Sequence, residues 1–158
     1  MSEQSVEAVK AYLEKQGVDH EVVEHEEQFT AAAEAQAAGV KPADAAKDLI
    51  LRDGETYMLA VIPASQRLDL GKARELFEAS GSLRLATEEE IGKDFDRFEV
   101  GAIPPFGGLH GIPQAVDLKL LEHDRVLCSA GDHAHGVLVD PKEMVRIAEA
   151  KTGDLSED

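Results

Sequence analysis

A run of glycine and proline residues between positions 101 and 113 is the first part of this sequence that could do chemistry. From residue 101 it reads Gly-Ala-Ile-Pro-Pro-Phe-Gly-Gly. Glycine permits backbone angles and close approaches that side chains forbid, while proline fixes φ and removes an N–H group. The run therefore predicts a stiff loop that can bring bare backbone N–H groups up to a ligand and hold Phe106 beside them. The alternative is a buried structural crossover that binds nothing.

Lys47 is the second candidate, because it stands where a predicted short helix gives way to the apolar run Leu49-Ile50-Leu51. Core residues should enclose its aliphatic stem and direct its ammonium group to one edge of the strand. A lysine in such a place is a point charge that suits phosphate. The alternative is a surface lysine whose stem lies over the sheet.

Three histidines could form part of a metal site. His133 and His135 would face the same side of a strand, and His110 in the glycine loop could supply a third ligand only if folding brings it close. The alternative is that they are pocket-lining or ordinary hydrogen-bonded histidines. The sequence contains no GxGxxG, GxxxxGKS, HExxH, GxSxG or CxxC signature, which disfavours nucleotide-dependent transferases, zinc peptidases and serine hydrolases. We expect no metal and no cofactor.

Charge limits the partners of this chain. Its net charge is −16, from 16 basic and 32 acidic side chains. A chain this acidic should repel nucleic acid, so we expect no non-specific binding to it. Residues 41–74 depart from the trend and are the segment that could attract an anion; their basic side chains are Lys41, Lys47, Arg52, Arg67, Lys72 and Arg74.

Other composition features favour a cytoplasmic protein. No apolar run approaches the roughly 20 residues that span a bilayer, and the polar start lacks the pattern of a signal peptide. We therefore expect a soluble protein with no membrane partner. The single cysteine, Cys128, cannot form an internal disulfide and lies in an apolar run, so it is interpreted as a small core residue.

The elements that must position these residues alternate irregularly between helix and strand. Local signals include an Asp53-Gly54 hairpin turn and a capping box that begins at Thr87. The predicted helices begin near residues 5, 30, 42, 69, 87 and 141, and the predicted strands lie near 20–24, 47–52, 57–62, 114–117, 125–129 and 136–139. With no internal repeat or linker, residues 1–158 are predicted to form a single mixed α+β domain with a frayed tail at 151–158.

Three features together resemble the YbaK-like aminoacyl-tRNA deacylase family, which includes free-standing prolyl-tRNA editing proteins and the insertion domain of bacterial prolyl-tRNA synthetases. They are Lys47 entering an apolar strand, the loop from Val100 to Gly107, and the late segment 129–137 that precedes Asp140. As an order of elements the resemblance spans residues 5–150. The lysine and the Gly-x-x-x-Pro-Phe-Gly loop are its most specific parts.

The resemblance implies a mixed, curved β-sheet that closes into a barrel flanked by helices. It also implies hydrolysis of the ester between a wrong amino acid and the 3′ end of a tRNA, with tRNA-Pro-type substrates and an aminoacyl-tRNA synthetase as a further partner. Lys47 and Gly101 would be the catalytic residues, the lysine holding the terminal adenosine and its phosphate. The implied substrate-binding residues are Ile103, Pro105, Phe106, Gly107 and His135.

Two positions depart from the family pattern. Pro104 stands where a serine is common, and Asp48 follows the lysine where a neutral residue is usual. A carboxylate next to Lys47 should weaken phosphate capture. Two other hypotheses therefore stay open: a non-catalytic module of the same fold that binds an aminoacyl or nucleotide ligand or a synthetase, and a small metal-dependent barrel enzyme using His110, His133 and His135.

Overall fold

The computed structural model describes residues 2–158, which form helices and strands in irregular alternation. The α-helices are α1 (Ser2–Lys15), α2 (Ala31–Ala37), α3 (Leu70–Phe77), α4 (Glu88–Asp94), α5 (Gly107–His110) and α6 (Pro141–Ala148). The strands are β1 (His20–Glu24), β2 (Ala46–Asp53), β3 (Thr56–Pro63), β4 (Arg84–Leu85), β5 (Gln114–Asp117), β6 (Val126–Ser129), β7 (His135–Val139) and β8 (Lys151–Gly153). Short 3-10 helices cover Pro42–Asp44 and Leu118–Glu122.

Two local predictions are confirmed. β2 and β3 form an antiparallel hairpin in which Asp53 pairs with Thr56, so Gly54 makes the turn with a φ of +62°. Helix α4 begins with the predicted capping box, in which Thr87 and Glu90 each accept a hydrogen bond from the other's backbone N–H. Both signals are short-range, and this explains why the sequence alone could locate them.

The strands form two sheets. β1, β7 and β6 make a three-stranded antiparallel sheet, and the other strands are ordered β4-β2-β3-β5-β8. In this larger sheet β2 runs antiparallel to β3 and β4, whereas β5 runs parallel to β3 and β8. The predicted α+β class with a mixed sheet is confirmed.

The predicted closure into a barrel is wrong. Closure needs a continuous ladder of hydrogen bonds around the sheet, and neither sheet closes or curls strongly. The two sheets approach where Ala45, just before β2, forms an isolated bridge with Leu127 of β6. Along the same edge β2 pairs with β4 only at Leu51 and Arg52. The Ile50 carbonyl accepts a hydrogen bond from the Ala86 N–H just after β4, so within residues 2–158 the part of β2 without a partner strand on that side is 46–49.

The hairpin separates two hydrophobic clusters, because successive side chains of a strand point to opposite faces. Ala46 and Ile50 of β2 belong to the main cluster, together with Phe106 of the glycine loop. Leu51 belongs to the second cluster, which packs against α3 through Ala73. By this alternation Asp48 shares the face of Ile50, whereas Lys47 shares the face of Leu51.

The C-terminal segment is part of the fold, so the predicted frayed tail at 151–158 is wrong. β8 pairs with β5, and both Leu155 and Ser156 are fully buried. The buried Asp117 carboxylate accepts hydrogen bonds from the Leu155 N–H at 3.0 Å and the Ser156 hydroxyl at 2.6 Å. An apolar anchor and a buried acceptor therefore fix a segment whose composition is polar.

Gln114 holds the glycine loop in place from the first residue of β5. Its side-chain oxygen accepts a hydrogen bond from the Gly107 N–H at 2.6 Å, and its side-chain nitrogen donates to the Pro105 carbonyl at 2.8 Å. All of these groups are buried, so each bond satisfies a backbone group that water cannot reach. None of the helices in the described part of the chain is long and apolar enough to cross a lipid bilayer.

Candidate active site

A cavity of about 210 Å³ lies where the edge of β2 is unpaired, and we call it the edge cavity. Its walls come from three parts of the chain. They are Asp48, Leu49 and Ile50 of β2; Leu85, Ala86, Glu88 and Ile91 at and before α4; and Val100, Gly101 and Ile103 of the glycine loop.

Gly101 contributes main chain without a side chain to one wall of this cavity. Its φ is +90°, a conformation that side chains rarely adopt, and a Cβ there would lie 3.3 Å from His133 Cε1. Backbone hydrogen bonds fix the loop on either side, since Gly131 N–H donates to the Ala102 carbonyl and Glu99 N–H donates to the Gly131 carbonyl. The loop therefore presents bare main chain at a fixed position, as the sequence predicts.

Exposed apolar side chains lie at and near the edge cavity. Of the four large apolar side chains that the described residues expose, Leu85 and Val100 line the cavity, and the backbone carbonyl of Phe29 would lie 3.7 Å from a Cβ at Gly101. Phe29 is 64% exposed and its ring centroid lies 4.7 Å from that of His133. The histidine ring is held because its Nδ1 donates to the Gln28 carbonyl at 3.1 Å. Clustered exposed apolar groups of this kind mark binding surfaces.

Asp48 brings a buried carboxyl group to the cavity wall. Part of the residue is exposed, but its Oδ2 is out of contact with solvent and has no hydrogen-bond partner. Burial raises the pKa of Asp48 to about 8, and the nearby Glu34 carboxylate adds to this rise. Glu34 is itself buried beside His25, whose Nε2 lies 2.9 Å from Glu34 Oε2; burial also raises the pKa of Glu34.

Lys47 does not line the edge cavity. Its amine donates to the Gln66 carbonyl at 2.7 Å, on the face of β2 opposite Asp48. Burial lowers the pKa of Lys47, and so does the positive charge of Arg67. Neither cation has a carboxylate within ion-pair distance in the part of the chain that the structure describes. The expectation that the Lys47 amine and Gly101 share one cavity is therefore not met.

The other predicted site residues divide into two groups. Ile103 lines the edge cavity, whereas Pro105, Phe106 and Gly107 are buried behind it, where Phe106 packs against Tyr12 with ring centroids 6.4 Å apart. These three residues support the loop from the core side.

The histidine beside Gly101 is His133 and not the predicted His135. His135 directs its Nδ1 to Asp132 Oδ1 at 2.9 Å. His110 lies apart from both, since its Nε2 bonds to the Pro104 carbonyl at 2.9 Å and its ring packs edge-on against Phe95 and Phe98.

The arrangement offers no strong side-chain nucleophile. Burial raises the pKa of the Cys128 thiol well above its usual range, so the thiolate is disfavoured. Among the side chains of residues 5–158, no group of three or more His, Cys, Asp or Glu is placed to hold a metal ion. The available polar groups are the Gly101 main chain, the Asp48 carboxyl group and the exposed Glu88.

Sequence reasoning missed three residues of this region. Glu34 and His25 form a buried pair, and Phe29 stands exposed over His133. The pairing of Glu34 had no local signal, because an isolated glutamate on an alanine-rich helix reads as a surface residue. Phe29 could have been noticed, since the chain contains only 5 phenylalanines and this one follows a polar run.

Comparison with known families gives the site its context. The model of the aminoacyl-tRNA editing domain matches residues 25–147, which include β2, the glycine loop and the segment around His133. The chain belongs to this family. The resemblance to YbaK-like proteins drawn from Lys47 and the glycine loop is therefore confirmed.

Solved structures agree with this membership of the editing-domain family. A candidate trans-editing enzyme for prolyl-tRNA synthetase is 31% identical, with a TM-score of 0.85 and 98% of each chain covered. A structure described as a hypothetical protein is 26% identical, with a TM-score of 0.85, covering 95% of this chain and 99% of that one. A scaffold from work on grafted epitopes is 28% identical, with a TM-score of 0.84 and coverage of 98% and 97%. No curated protein matches the chain.

The buried carboxyl group gives this editing domain a testable dependence of stability on pH. Asp48 has a folded pKa of about 8, above its unfolded value of about 3.9. Between these values the folded state binds the extra proton, so stability is full below pH 4 and is lost as pH rises towards 8. We expect Asp48→Asn to raise the free energy of unfolding at pH 8 by up to about 5 kcal/mol, since each unit of the pKa difference corresponds to about 1.4 kcal/mol, with little effect at pH 4. Urea denaturation at both pH values measures this difference.

Asp19→Asn is the matched control, because Asp19 is exposed. It should change stability by less than about 0.5 kcal/mol at either pH. If Asp48→Asn raised the free energy of unfolding equally at pH 4 and pH 8, this would contradict the conclusion that Asp48 is buried and protonated.

Proposed function

We propose that this protein is a trans-acting hydrolase that cleaves the ester bond of mischarged aminoacyl-tRNA, with tRNA-Pro-type substrates. Membership of the editing-domain family and the likeness to a candidate trans-editing enzyme for prolyl-tRNA synthetase support this proposal. The observation that carries it is the edge cavity, where the fixed main chain of Gly101 meets an unpaired strand edge.

The chemistry needs little from side chains. An aminoacyl ester is already activated, so positioning and backbone hydrogen bonds can supply much of the required rate. In the proposed reaction a water molecule attacks the ester carbonyl carbon, and the bond to the ribose oxygen breaks. The ribose oxygen takes one proton of the water, the amino acid leaves as a carboxylate, and the second proton is released to solvent. The Gly101 main chain would lie against the ester, and a neighbouring ribose hydroxyl would help to place the water.

The size of the edge cavity favours a small aminoacyl group. At about 210 Å³ it is below the roughly 300–1,000 Å³ of drug-sized ligand sites. The nucleotide must therefore lie outside the cavity, across its apolar mouth. We assign stacking of the terminal base to the exposed Phe29, which is already packed against His133. Bases of any sequence stack on aromatic rings.

Lys47 and Arg67 would hold the phosphate on the other side of β2. The two cations lie close enough for each to feel the other's charge, and neither is neutralised by a carboxylate of the described chain. An unneutralised pair of this kind attracts an anion. Because the whole chain carries a net charge of −16, we expect the rest of the tRNA to be held weakly, and we propose that an aminoacyl-tRNA synthetase supplies the remaining contacts.

Gly101→Ala tests the proposed reaction on a panel of mischarged tRNAs. The added methyl group would lie against His133 and shift the loop main chain, so we expect kcat/KM for deacylation to fall at least about 10-fold. Gly39→Ala is the control, because Gly39 has a similar φ of +75° but nothing within 4 Å of the added carbon. Both variants carry a backbone strain of about 1 kcal/mol.

The panel also separates the two open functions. Equal activity of Gly101→Ala and Gly39→Ala would contradict the assigned site. Measurable binding of mischarged tRNA without turnover by the unmodified protein would identify a non-catalytic binding module instead.

Lys47→Ala tests the phosphate contact. Loss of one charged hydrogen bond to phosphate should lower kcat/KM by roughly 10- to 100-fold. The fold should persist, since the Lys47 amine bonds only to the Gln66 carbonyl, and circular dichroism can confirm this. Lys41→Ala, from the same basic segment and exposed, should stay within about 2-fold of the unmodified protein. Retained activity in Lys47→Ala would remove this residue from the site.

Phe29→Ala tests the base platform. Stacking on an aromatic ring contributes about 1–3 kcal/mol per base, so KM should rise by roughly 5- to 100-fold. Phe29→Tyr should keep most of the affinity. Leu118→Ala is the control, because Leu118 is another exposed apolar residue, at 51%, and does not line the edge cavity. Similar KM values for Phe29→Ala and Leu118→Ala would refute the platform.

A further inference from the structure

The Asp48 carboxyl group has a feature that the proposed reaction leaves unexplained. Among the side chains that the structure describes, Asp48 Oδ2 is the one buried oxygen or nitrogen atom that has no hydrogen-bond partner. Such orphan atoms are rare in folded proteins because each costs free energy. Because Asp48 also lines the edge cavity, a small turn of its carboxyl group would let a bound ligand supply the missing partner.

The charges around Asp48 indicate what kind of ligand this is. Glu34 is close enough to act on Asp48 as a second negative charge, and it has His25 as its own partner. The nearest cation along the chain, Lys47, lies on the opposite face of β2 and is bonded to Gln66. No cation of the described chain therefore pairs with Asp48. The site is suited to a positively charged hydrogen-bond donor, which would take the place of the proton that burial holds on Asp48 in the free protein.

The proposed substrate carries one such group. An aminoacyl ester has an α-ammonium group on the carbon next to its ester carbonyl, so the two must be bound within a few ångströms of each other. The edge cavity has Gly101 main chain on one wall and Asp48 on another. We propose that Asp48 receives the α-ammonium group of the aminoacyl ester while Gly101 lies against the ester; this assignment rests on the proposed function.

A consequence for specificity follows from this pairing. An aminoacyl group whose amine is acylated, as in N-acetylaminoacyl-tRNA or peptidyl-tRNA, has no cation to offer and would leave the Asp48 oxygen without a partner. Sites built around a buried polar group reject ligands that cannot satisfy it. The protein should therefore act on free aminoacyl-tRNA and spare chains that already carry a peptide.

Binding of a non-hydrolysable pair of ligands tests this assignment without requiring turnover. The probes are 3′-alanylamino-3′-deoxyadenosine and its N-acetyl derivative, measured by calorimetry with the full chain. We expect the unmodified protein to bind the free amine about 10- to 100-fold more tightly than the acetylated probe. In Asp48→Asn the two affinities should agree within about 2-fold.

Glu89→Gln is the matched control. Glu89 is exposed on the same helix that borders the cavity, α4, but does not line the cavity, so the preference for the free amine should remain. Asp48→Ser is a second variant in case Asp48→Asn does not fold. The preference of the unmodified protein is itself a test that needs no variant.

The outcomes separate this inference from the proposed function. If the unmodified protein hydrolyses mischarged tRNA but the preference for the free amine is absent, or survives in both Asp48 variants, the ammonium assignment is overturned and the hydrolase stands. If the preference exists and is lost in the Asp48 variants while no tRNA is hydrolysed, the ammonium site stands and the hydrolase fails. If neither probe binds, the ammonium assignment is overturned.

Discussion

The incomplete pairing of β2 is the constraint on which the candidate site depends. On one side β2 is hydrogen-bonded to β3 along its whole length, which makes it a rigid central strand. On the other side it meets another strand only near its two ends, at the Ala45 bridge and at the pairs with β4. A strand edge presents backbone donors and acceptors that must find partners. In this fold a cavity lined by Gly101 lies at the gap. One edge of β2 is therefore held rigidly by β3, while the other edge is open for binding.

The glycine loop can face this gap because its far side is fixed in the core. Phe106 is almost completely buried, and Gln114 bonds the loop at Pro105 and Gly107. The apolar side chain that seemed a ligand contact from the sequence is thus an anchor. Its burial allows Gly101 to remain bare, since the loop needs no side chain there to hold its position. Local stiffness from the prolines and distant support from Gln114 act on the same few residues.

How much the sequence could predict depends on the range of each signal. The hairpin, the capping box and the loop follow from neighbouring residues, and the family follows from the order of these features. Closure into a barrel depends on pairing between distant strands, and the order of the tail depends on bonds from Asp117 across 38 or more positions. The placement of Lys47 could have been predicted from the sequence itself. Neighbouring side chains of a strand point to opposite faces, so a strand that turns Asp48 towards the loop turns Lys47 away from it.

This alternation also changes how the unusual Asp48 is understood. In the sequence Asp48 is the neighbour of Lys47, and a carboxylate next to this lysine should weaken its binding of phosphate. Judged in three dimensions, the two side chains lie on opposite faces of β2, so Asp48 does not face the phosphate that Lys47 would hold. The cationic face suits the phosphate of a tRNA end, and the acidic interior suits the ammonium group that the same molecule carries at its tip. In a protein with a net charge of −16, the proposed recognition of that charged tip alone would be the arrangement that repulsion from the rest of the tRNA disturbs least.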